Sequence, residues 1–509
     1  MIAAATDTFV SPSIEWFAIT PLLVLLGGGL VLLVGASLTP AWPKRVYAYS
    51  TVAVVIGALV MTVIQWDNLT DSAPRFIVGQ ALSWDAFSMF GTIVILVALA
   101  LAALISDDYL RREGMDGPEV YGLFLMAALG AIVMVMANDL IVLFLGLETM
   151  SIAFYVLAAS HRRRTDSQES GIKYFVLGGF SSAFFLYGIA LIYGSTGSTN
   201  FAAILTSFDN IPKHRNDVMV LVGIALLLVG LAFKVGAAPF HVWTPDVYQG
   251  APTPVTALFA SVGKVAAFAA MLRVLIVALP NWKDDWQPVI WTIAVITLAV
   301  GAISAVVQTN VKRMLAYSSI NHAGFILIGV EAAGHAGGSA GKGVPASMLY
   351  LLLYAVLVCG TFAVVALVSR TGDAATDLGS FRGLAKQKPA LALALTVFLL
   401  AQAGVPLTSG FTAKFGVIQA AVDEKSYAIA IIAMVTAVIS AFLYLRIMVS
   451  VWLAEPESGD DTREAIRVPF SAGLAIALCA GFTLVVGFYP TWLIDASNKV
   501  TQFATPLTG

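Results

Sequence analysis

Long apolar runs alternate with short polar connections from one end of the chain to the other. A helix that crosses a membrane needs roughly 20 apolar residues. Runs of that order recur at 16–37, 46–64, 86–105, 119–137, 139–160, 171–193, 217–237, 252–279, 288–307, 314–333, 345–369, 389–422, 426–453 and 468–493. The pattern predicts an all-α polytopic membrane protein with about fourteen transmembrane helices. Two runs are irregular. The seventh continues into GLAFKVGAAPFHVWTPDVYQGAPTPVTALFASVGK (Gly230 to Lys264), with prolines at 239, 245, 252 and 254. The twelfth is too long for one pass and contains AQAGVPLTSGFTAKFGV (401 to 417), with Pro406, Gly410 and Lys414 where an unbroken helix should be. Proline removes a backbone donor and breaks helices. Irregular backbone survives at membrane depth only where protein buries it or where it lines a polar cavity. Helices 7 and 12 are therefore expected to be broken, and the Gly230–Lys264 stretch to belong to an ion path.

The order of the runs suggests an internal repeat. Spans four to eight and nine to thirteen are each five helices long, and the fourth member of each carries a proline break and a lysine. An odd number of passes inverts the second copy, and paired broken helices in inverted repeats mark transporters. The expected division is an N-terminal three-helix segment (1–118), a first five-helix repeat (119–285), a second (286–455), and a C-terminal loop with one helix (456–509).

Composition narrows the function classes. The chain is 59% hydrophobic and 11% charged, against about 25% charged residues in soluble domains. A net charge of −2 suggests no nucleic-acid partner. Cys359 and Cys479 lie far apart in apolar runs, with no CxxC or Cys/His cluster for a metal or iron–sulfur centre. No basic segment precedes the first apolar run, so a cleaved signal peptide is not expected. AGGSAGKG at 336–343 lacks the first glycine and the terminal hydroxyl of a phosphate loop, and GxGxxG is absent. Asn68-Leu69-Thr70 fits a glycosylation sequon, a weak pattern, and the acidic loop Glu455–Arg467 reads as a solvated connector. The odd-numbered connections carry most of the basic residues, among them Lys44, Arg45, Arg111, Arg112, Arg162, Arg163, Arg164, Lys312, Arg313, Lys386 and Lys388. The even-numbered ones carry fewer, including Arg75, Lys213, Arg215, Lys283 and Lys425. Basic loops stay in the cytoplasm, so both termini are expected on the non-cytoplasmic side.

Charged residues inside the spans are the candidates for chemistry, because a lysine at membrane depth costs roughly 2.5–3.5 kcal/mol on insertion scales. Glu148 lies mid-span in DLIVLFLGLETMSIAFYVL and suits the counter-charge of Lys234; a static ion pair is the alternative. Lys234 and Lys264 occupy consecutive spans. Desolvation and a like-charged neighbour favour the neutral amine, which lets a lysine load and release a proton. Lys264 lies roughly 18 Å from its span start at helical rise, too far for easy snorkelling. Lys414, isolated in the broken twelfth span, reads as the terminal exchanging group. Lys173 is either an inner-side loading group or an interfacial lysine. His322, among Ser318, Ser319 and Asn321, and His241, just past Pro239, could relay protons or serve as structural donors. Arg273 reads as a snorkelling residue and Asp139 as a helix N-cap.

These motifs together carry a family resemblance. FKVGAAPFHVWTPDVYQGAPTPVTALFASVGK, LFLGLETMSI around Glu148, VKRMLAYSSINHAG around His322 and GVPLTSGFTAKFGV around Lys414 resemble the antiporter-like membrane subunits of respiratory complex I and of multisubunit sodium/proton antiporters. The lysine in the twelfth span and the end after span fourteen resemble the N-type branch. The resemblance covers nearly the whole chain, in order. It implies two inverted five-helix repeats and a place in the membrane arm of NADH–quinone oxidoreductase in the bacterial inner (plasma) membrane. It implies membrane lipid and other membrane-arm subunits, including other antiporter-like ones, as partners. No cofactor is expected in this chain; NADH, flavin and iron–sulfur clusters would sit in partner subunits. It also implies Glu148 and Lys234 as a coupling pair, Lys264 as central relay and Lys414 as exit-side lysine, with Lys173 and His322 as weaker carry-overs. Rival readings are a sodium/proton antiporter subunit, a passive scaffold in which ion pairs only hold helices, and a solute carrier.

Overall fold

The computed structural model describes residues 14–39, 42–69, 73–210, 217–335, 341–455 and 466–503. Lys213, Arg215, Arg463, Thr70 of the sequon, residues 336–340 and the loop core 456–465 lie outside that set. In chain order the helices are α1 (Thr20–Leu38), α2 (Arg45–Leu69), α3 (Ala86–Arg112), α4 (Pro118–Met136), α5 (Leu140–Ala158), α6 (Thr165–Thr196), α7 (Phe201–Asn210), α8 (Asp217–Val235), α9 (Trp243–Gly250) and α10 (Thr253–Leu258). They continue with α11 (Lys264–Arg273), α12 (Lys283–Val306), α13 (Val311–His335), α14 (Gly343–Val368), α15 (Leu384–Gln387), α16 (Pro389–Ala403), α17 (Ser409–Asp423), α18 (Tyr427–Trp452), α19 (Phe470–Phe488) and α20 (Thr491–Asn498).

Twelve of the described helical segments are long and apolar enough to cross a membrane. The remaining two expected spans are filled differently. The tenth is α13, of full length but carrying Lys312, Arg313, His322, Glu331 and His335. The twelfth is split into α16 and α17, each 15 residues long. Two small elements fall outside the helical pattern. An antiparallel pair, β1 (Arg75–Ile77) and β2 (Leu82–Trp84), fills the connection between α2 and α3. The short α7 places Phe201, Ile204 and Phe208 on one face at helical spacing.

The breaks lie where proline and glycine put them. α8 ends at Val235, Gly236 takes φ +73°, and the chain resumes as α9 at Trp243. α16 ends at Ala403, Gly404 takes φ +91°, and α17 begins at Ser409. The pass containing α10 and α11 is helical throughout but widens to π turns over Phe259–Gly263, immediately before Lys264.

Every residue of α14 is buried, and α3, α10, α13, α16, α17 and α19 surround it. The periphery is apolar and open, with Val31 of α1, Phe175 and Phe180 of α6 and Val438 of α18 exposed. An apolar outer face is what lipid or a neighbouring membrane subunit requires. The chain is a polytopic membrane protein.

Two expectations about charge are corrected. Arg273 does not snorkel. It is 1% exposed, its Nη1 and Nη2 both 2.9 Å from Asp85 carboxylate oxygens, with Nη2 also donating to Ser88 Oγ (2.8 Å) and Nε to Val135 O (3.0 Å). A bidentate carboxylate satisfies a buried guanidinium, so no route to the surface is needed. Lys312, counted above with the loop charges, is buried and donates to Ala251 O (2.6 Å) and Asp373 (3.1 Å). Asp139 caps α5, accepting from the backbone of Ile141 (2.8 Å) and Val142 (3.3 Å).

Candidate functional site

Three of the candidate lysines, Lys234, Lys264 and Lys414, line up with Glu148 through the middle of the bundle, each lysine tied to a break or a widened turn. Glu148 is half-buried on α5 and accepts from Ser182 Oγ of α6. One turn further along α5, Ser151 accepts from Lys234 Nζ at 2.7 Å, with Tyr155 OH at 3.4 Å. Glu148 and Lys234 thus face each other across a serine layer and form no direct ion pair within 4.0 Å. Lys234 sits in the last turn of α8, its ammonium over the rings of Tyr155 (5.3 Å), Tyr174 (5.6 Å) and Phe233 (5.8 Å). Such a cage holds a cation by its ring quadrupoles.

Aromatic and hydroxyl groups continue the line. Tyr174 stacks on Trp243 at 4.5 Å, and Trp243 lies 6.2 Å from Tyr248. Trp243 Nε1 donates to Phe233 O, locking α9 to the end of α8 (2.9 Å). Ser319 Oγ of α13 lies 3.3 Å from Tyr248 OH and accepts from Tyr354 OH at 2.8 Å. Lys264, 2% exposed, donates to Ser319 O and lies 5.3 Å from the Tyr354 ring. One turn on, His322 Nδ1 lies 2.7 Å from Tyr350 OH, and its Nε2 lies 3.2 Å from Tyr444 OH. Tyr444 reaches Ser318 Oγ at 2.6 Å, and Ser318 reaches Gln402 at 3.3 Å.

Lys414 closes the series. It donates to Ala403 O at 3.0 Å, capping the orphan carbonyl end of α16, and lies 4.8 Å from the Phe325 ring. The left-handed Gly404 brings this about: a Cβ there would stand 2.9 Å from Lys414 Cδ. Glu148, Lys234, Lys264, His322 and Lys414 therefore succeed one another through adjoining hydrogen bonds and ring contacts.

Two other candidates lie off this line. α6 begins at Thr165, so Lys173 lies two turns inside it, paired with Glu169 and Asp246 (both 2.7 Å). Asp246 also pairs with Arg313 at 2.6 Å, beside a polar cavity of about 210 Å³ that Lys173 helps line. This is the face of the arginine-rich connections. His241 lies in the interruption between α8 and α9, its Nδ1 buried with no hydrogen-bond partner among the described residues. Among the described residues no group of three or more His, Cys, Asp or Glu could hold a metal ion.

Sequence reasoning passed over Tyr248, Tyr350, Tyr354 and Tyr444, because a tyrosine inside an apolar run has the pattern of core. It also passed over the cluster around Asp373, which accepts from Tyr109 (2.9 Å), Arg164 (3.0 Å), Lys312 (3.1 Å), Thr253 and Ser369 (both 2.9 Å).

Comparison with known proteins decides the family. The profile described as "NADH:quinone oxidoreductase/Mrp antiporter, TM" matches residues 137–440. The chain belongs to this family. NADH-quinone oxidoreductase subunit N 1 of Herpetosiphon aurantiacus is 40% identical over 503 residues, covering 98% of this chain and 99% of the relative. Subunit N of Mycobacterium tuberculosis (strain CDC 1551 / Oshkosh) is 38% identical over 539 residues, covering 97% and 99%. A chain of respiratory complex I from Thermus thermophilus superposes with a TM-score of 0.77 at 30% identity, covering 93% of this chain and 98% of that one. A chain of the Mrp complex from Dietzia sp. DQ12-45-1b shares the fold, with a TM-score of 0.81 at 22% identity, covering 96% and 97%. Both curated relatives are named as subunit N, the N-type branch that the motifs resemble.

Proposed function

We propose that this chain moves protons across the bacterial plasma membrane as a membrane-arm subunit of NADH–quinone oxidoreductase, beside other antiporter-like subunits. The observation that carries the reading is the succession of titratable side chains through the bundle, from half-buried Glu148 by way of Lys234, Lys264 and His322 to Lys414, three of them lysines seated at helix breaks or a widened turn. A buried lysine without a fixed counter-ion exchanges its proton far more readily than a solvated one. Glu148 and Lys234 form the gate, each held by its own serine. Quinone reduction in a partner subunit perturbs Glu148, the balance across the serine layer shifts, and Lys234 passes its proton through Tyr248 and Ser319 toward Lys264. His322 and its tyrosines hand it on to Lys414. Lys173, in the ion network with Asp246 and Arg313, loads the path from the arginine-rich face. That face is cytoplasmic in this reading, with both termini opposite. Spans four to eight and nine to thirteen act as inverted halves. Redox cofactors belong to partner subunits.

A sodium/proton antiporter subunit would use the same residues. Inverted vesicles carrying the assembled complex separate the two. NADH addition should drive proton uptake at the same rate with sodium or potassium as the salt. Proton flux that needs sodium and ignores NADH would support the antiporter.

A further inference from the structure

We propose that Glu331, with His335, releases the proton on the face opposite the arginine-rich connections after it leaves Lys414; this rests on the translocation reading above. Glu331 lies on α13, 1% exposed. Its Oε1 gathers three groups: Gln287 Nε2 of α12 (2.9 Å), Ser426 Oγ ahead of α18 (3.0 Å) and His335 Nε2 (2.9 Å). Its Oε2 is buried and has no hydrogen-bond partner among the described residues. A buried carboxylate oxygen left unpartnered is costly and calls for a reason. Oε2 is where a proton would sit, since a protonated carboxyl needs one oxygen free to carry it.

Position supports the role. α13 carries His322, Phe325, Glu331 and His335 in succession, and the Lys414 ammonium lies over Phe325. Six residues separate Phe325 from Glu331, about 9 Å of helix rise. α17 runs alongside, with Val417 against Gly329, and Ser426 beyond its end reaches Glu331. On α13 Glu331 is the first ionisable residue past the level of Lys414 toward this face. His335 leads outward, its side chain one-third exposed (33%), and an imidazole can take a proton on one ring nitrogen and give one from the other. Charged groups of the neighbouring elements lie at this end: Lys283, Asp284 and Asp285 in the first turn of α12, Asp423 of α17, paired with Lys342 at 2.7 Å, and Glu424 and Lys425 just beyond α17.

The step moves one proton. A Lys414 N–H bond breaks and a Glu331 Oε2–H bond forms through bridging water, leaving a neutral amine and a neutral acid. The Oε2–H bond then breaks, the proton leaves by way of His335 to water, and the carboxylate is restored.

The test uses inverted vesicles with the whole complex, assembly checked by native gel. Protons moved per NADH oxidised are measured for Glu331→Gln, Glu331→Asp and His335→Gln, with Lys264→Ala alongside. The expected result is a lower ratio in Glu331→Gln, recovery in Glu331→Asp, and a lower ratio with a displaced pH profile in His335→Gln. A native ratio in Glu331→Gln while Lys264→Ala loses pumping overturns the release assignment alone. Native ratios in both overturn the translocation reading itself. Should Glu331→Gln fail to assemble, a native ratio and pH profile in His335→Gln overturns the assignment.

Discussion

Replacing Lys234 with alanine is expected to abolish NADH-driven proton pumping and to slow quinone reduction with it, while the complex still assembles. The substitution empties an aromatic cage and removes the donor to Ser151. Glu148 keeps its Ser182 partner, so the carboxylate side of the gate stays in place. What is lost is the amine that, in the proposed path, carries the proton onward from that serine layer. Adding as little as about 1.4 kcal/mol to a transfer barrier slows it tenfold, and removing the carrier should exceed that. Quinone reduction falls too, because a redox step coupled to a blocked transfer cannot complete its cycle. Lys234→Arg sharpens the test. Arginine keeps the charge and the cation–π contacts but does not release its proton. It should assemble normally and still fail to pump, which a purely structural role for the charge does not predict. Vesicle acidification and NADH oxidation, recorded on the same preparation, give both readouts.

Asp373→Asn is expected to destabilise the folded chain by about 3–5 kcal/mol, the cost of breaking a buried ion pair by removing one partner. Asp373 lies between α14 and α15, yet it ties together Tyr109 of α3, Arg164 ahead of α6, Thr253 of α10 and Lys312 of α13. Asparagine leaves Lys312, buried on all sides, without its direct ion-pair partner. The effect is read as a lower thermal midpoint of the purified complex and loss of the subunit from native gels. The pH dependence follows from the same contacts. Burial alone would push the Asp373 carboxyl up from its ordinary 3.8, but Lys312 and Arg164 outweigh it and hold the carboxyl at about 2. A depressed carboxyl contributes stability that is fully present above the unfolded value and lost as pH falls through the folded one. The native chain should therefore lose stability between pH 3.8 and about 2, a component that Asp373→Asn lacks.

The lysines and the helix breaks were legible in the sequence for a plain physical reason. A lone lysine or a proline–glycine pair inside an apolar run has few harmless explanations, and Lys234, Lys264 and Lys414 all lie at or beside irregular backbone. The groups between them were not legible. Tyr350 and Tyr354 belong to a run that reads as core from end to end, and only the fold turns their hydroxyls toward His322 and Ser319. Partners far apart in sequence hid the ion pairs. Asp85 precedes Arg273 by 188 residues, and Tyr109 precedes Asp373 by 264. Without that distance information Arg273 near a span end has the pattern of a snorkelling residue, and Lys312 that of a loop charge. The serine layer between Glu148 and Lys234 was hidden likewise, since Ser151 and Ser182 are unremarkable small residues until α5, α6 and α8 meet.

The most direct test of the central claim is the number of protons moved per NADH oxidised by Lys264→Ala, in vesicles where native gel shows full assembly. Lys264 touches no carboxylate among its described contacts, so it can be removed without unpairing an ion. If protons pass along this line, pumping falls at least about tenfold. If buried lysines only hold helices together, the assembled variant pumps at the native ratio, and the relay is contradicted.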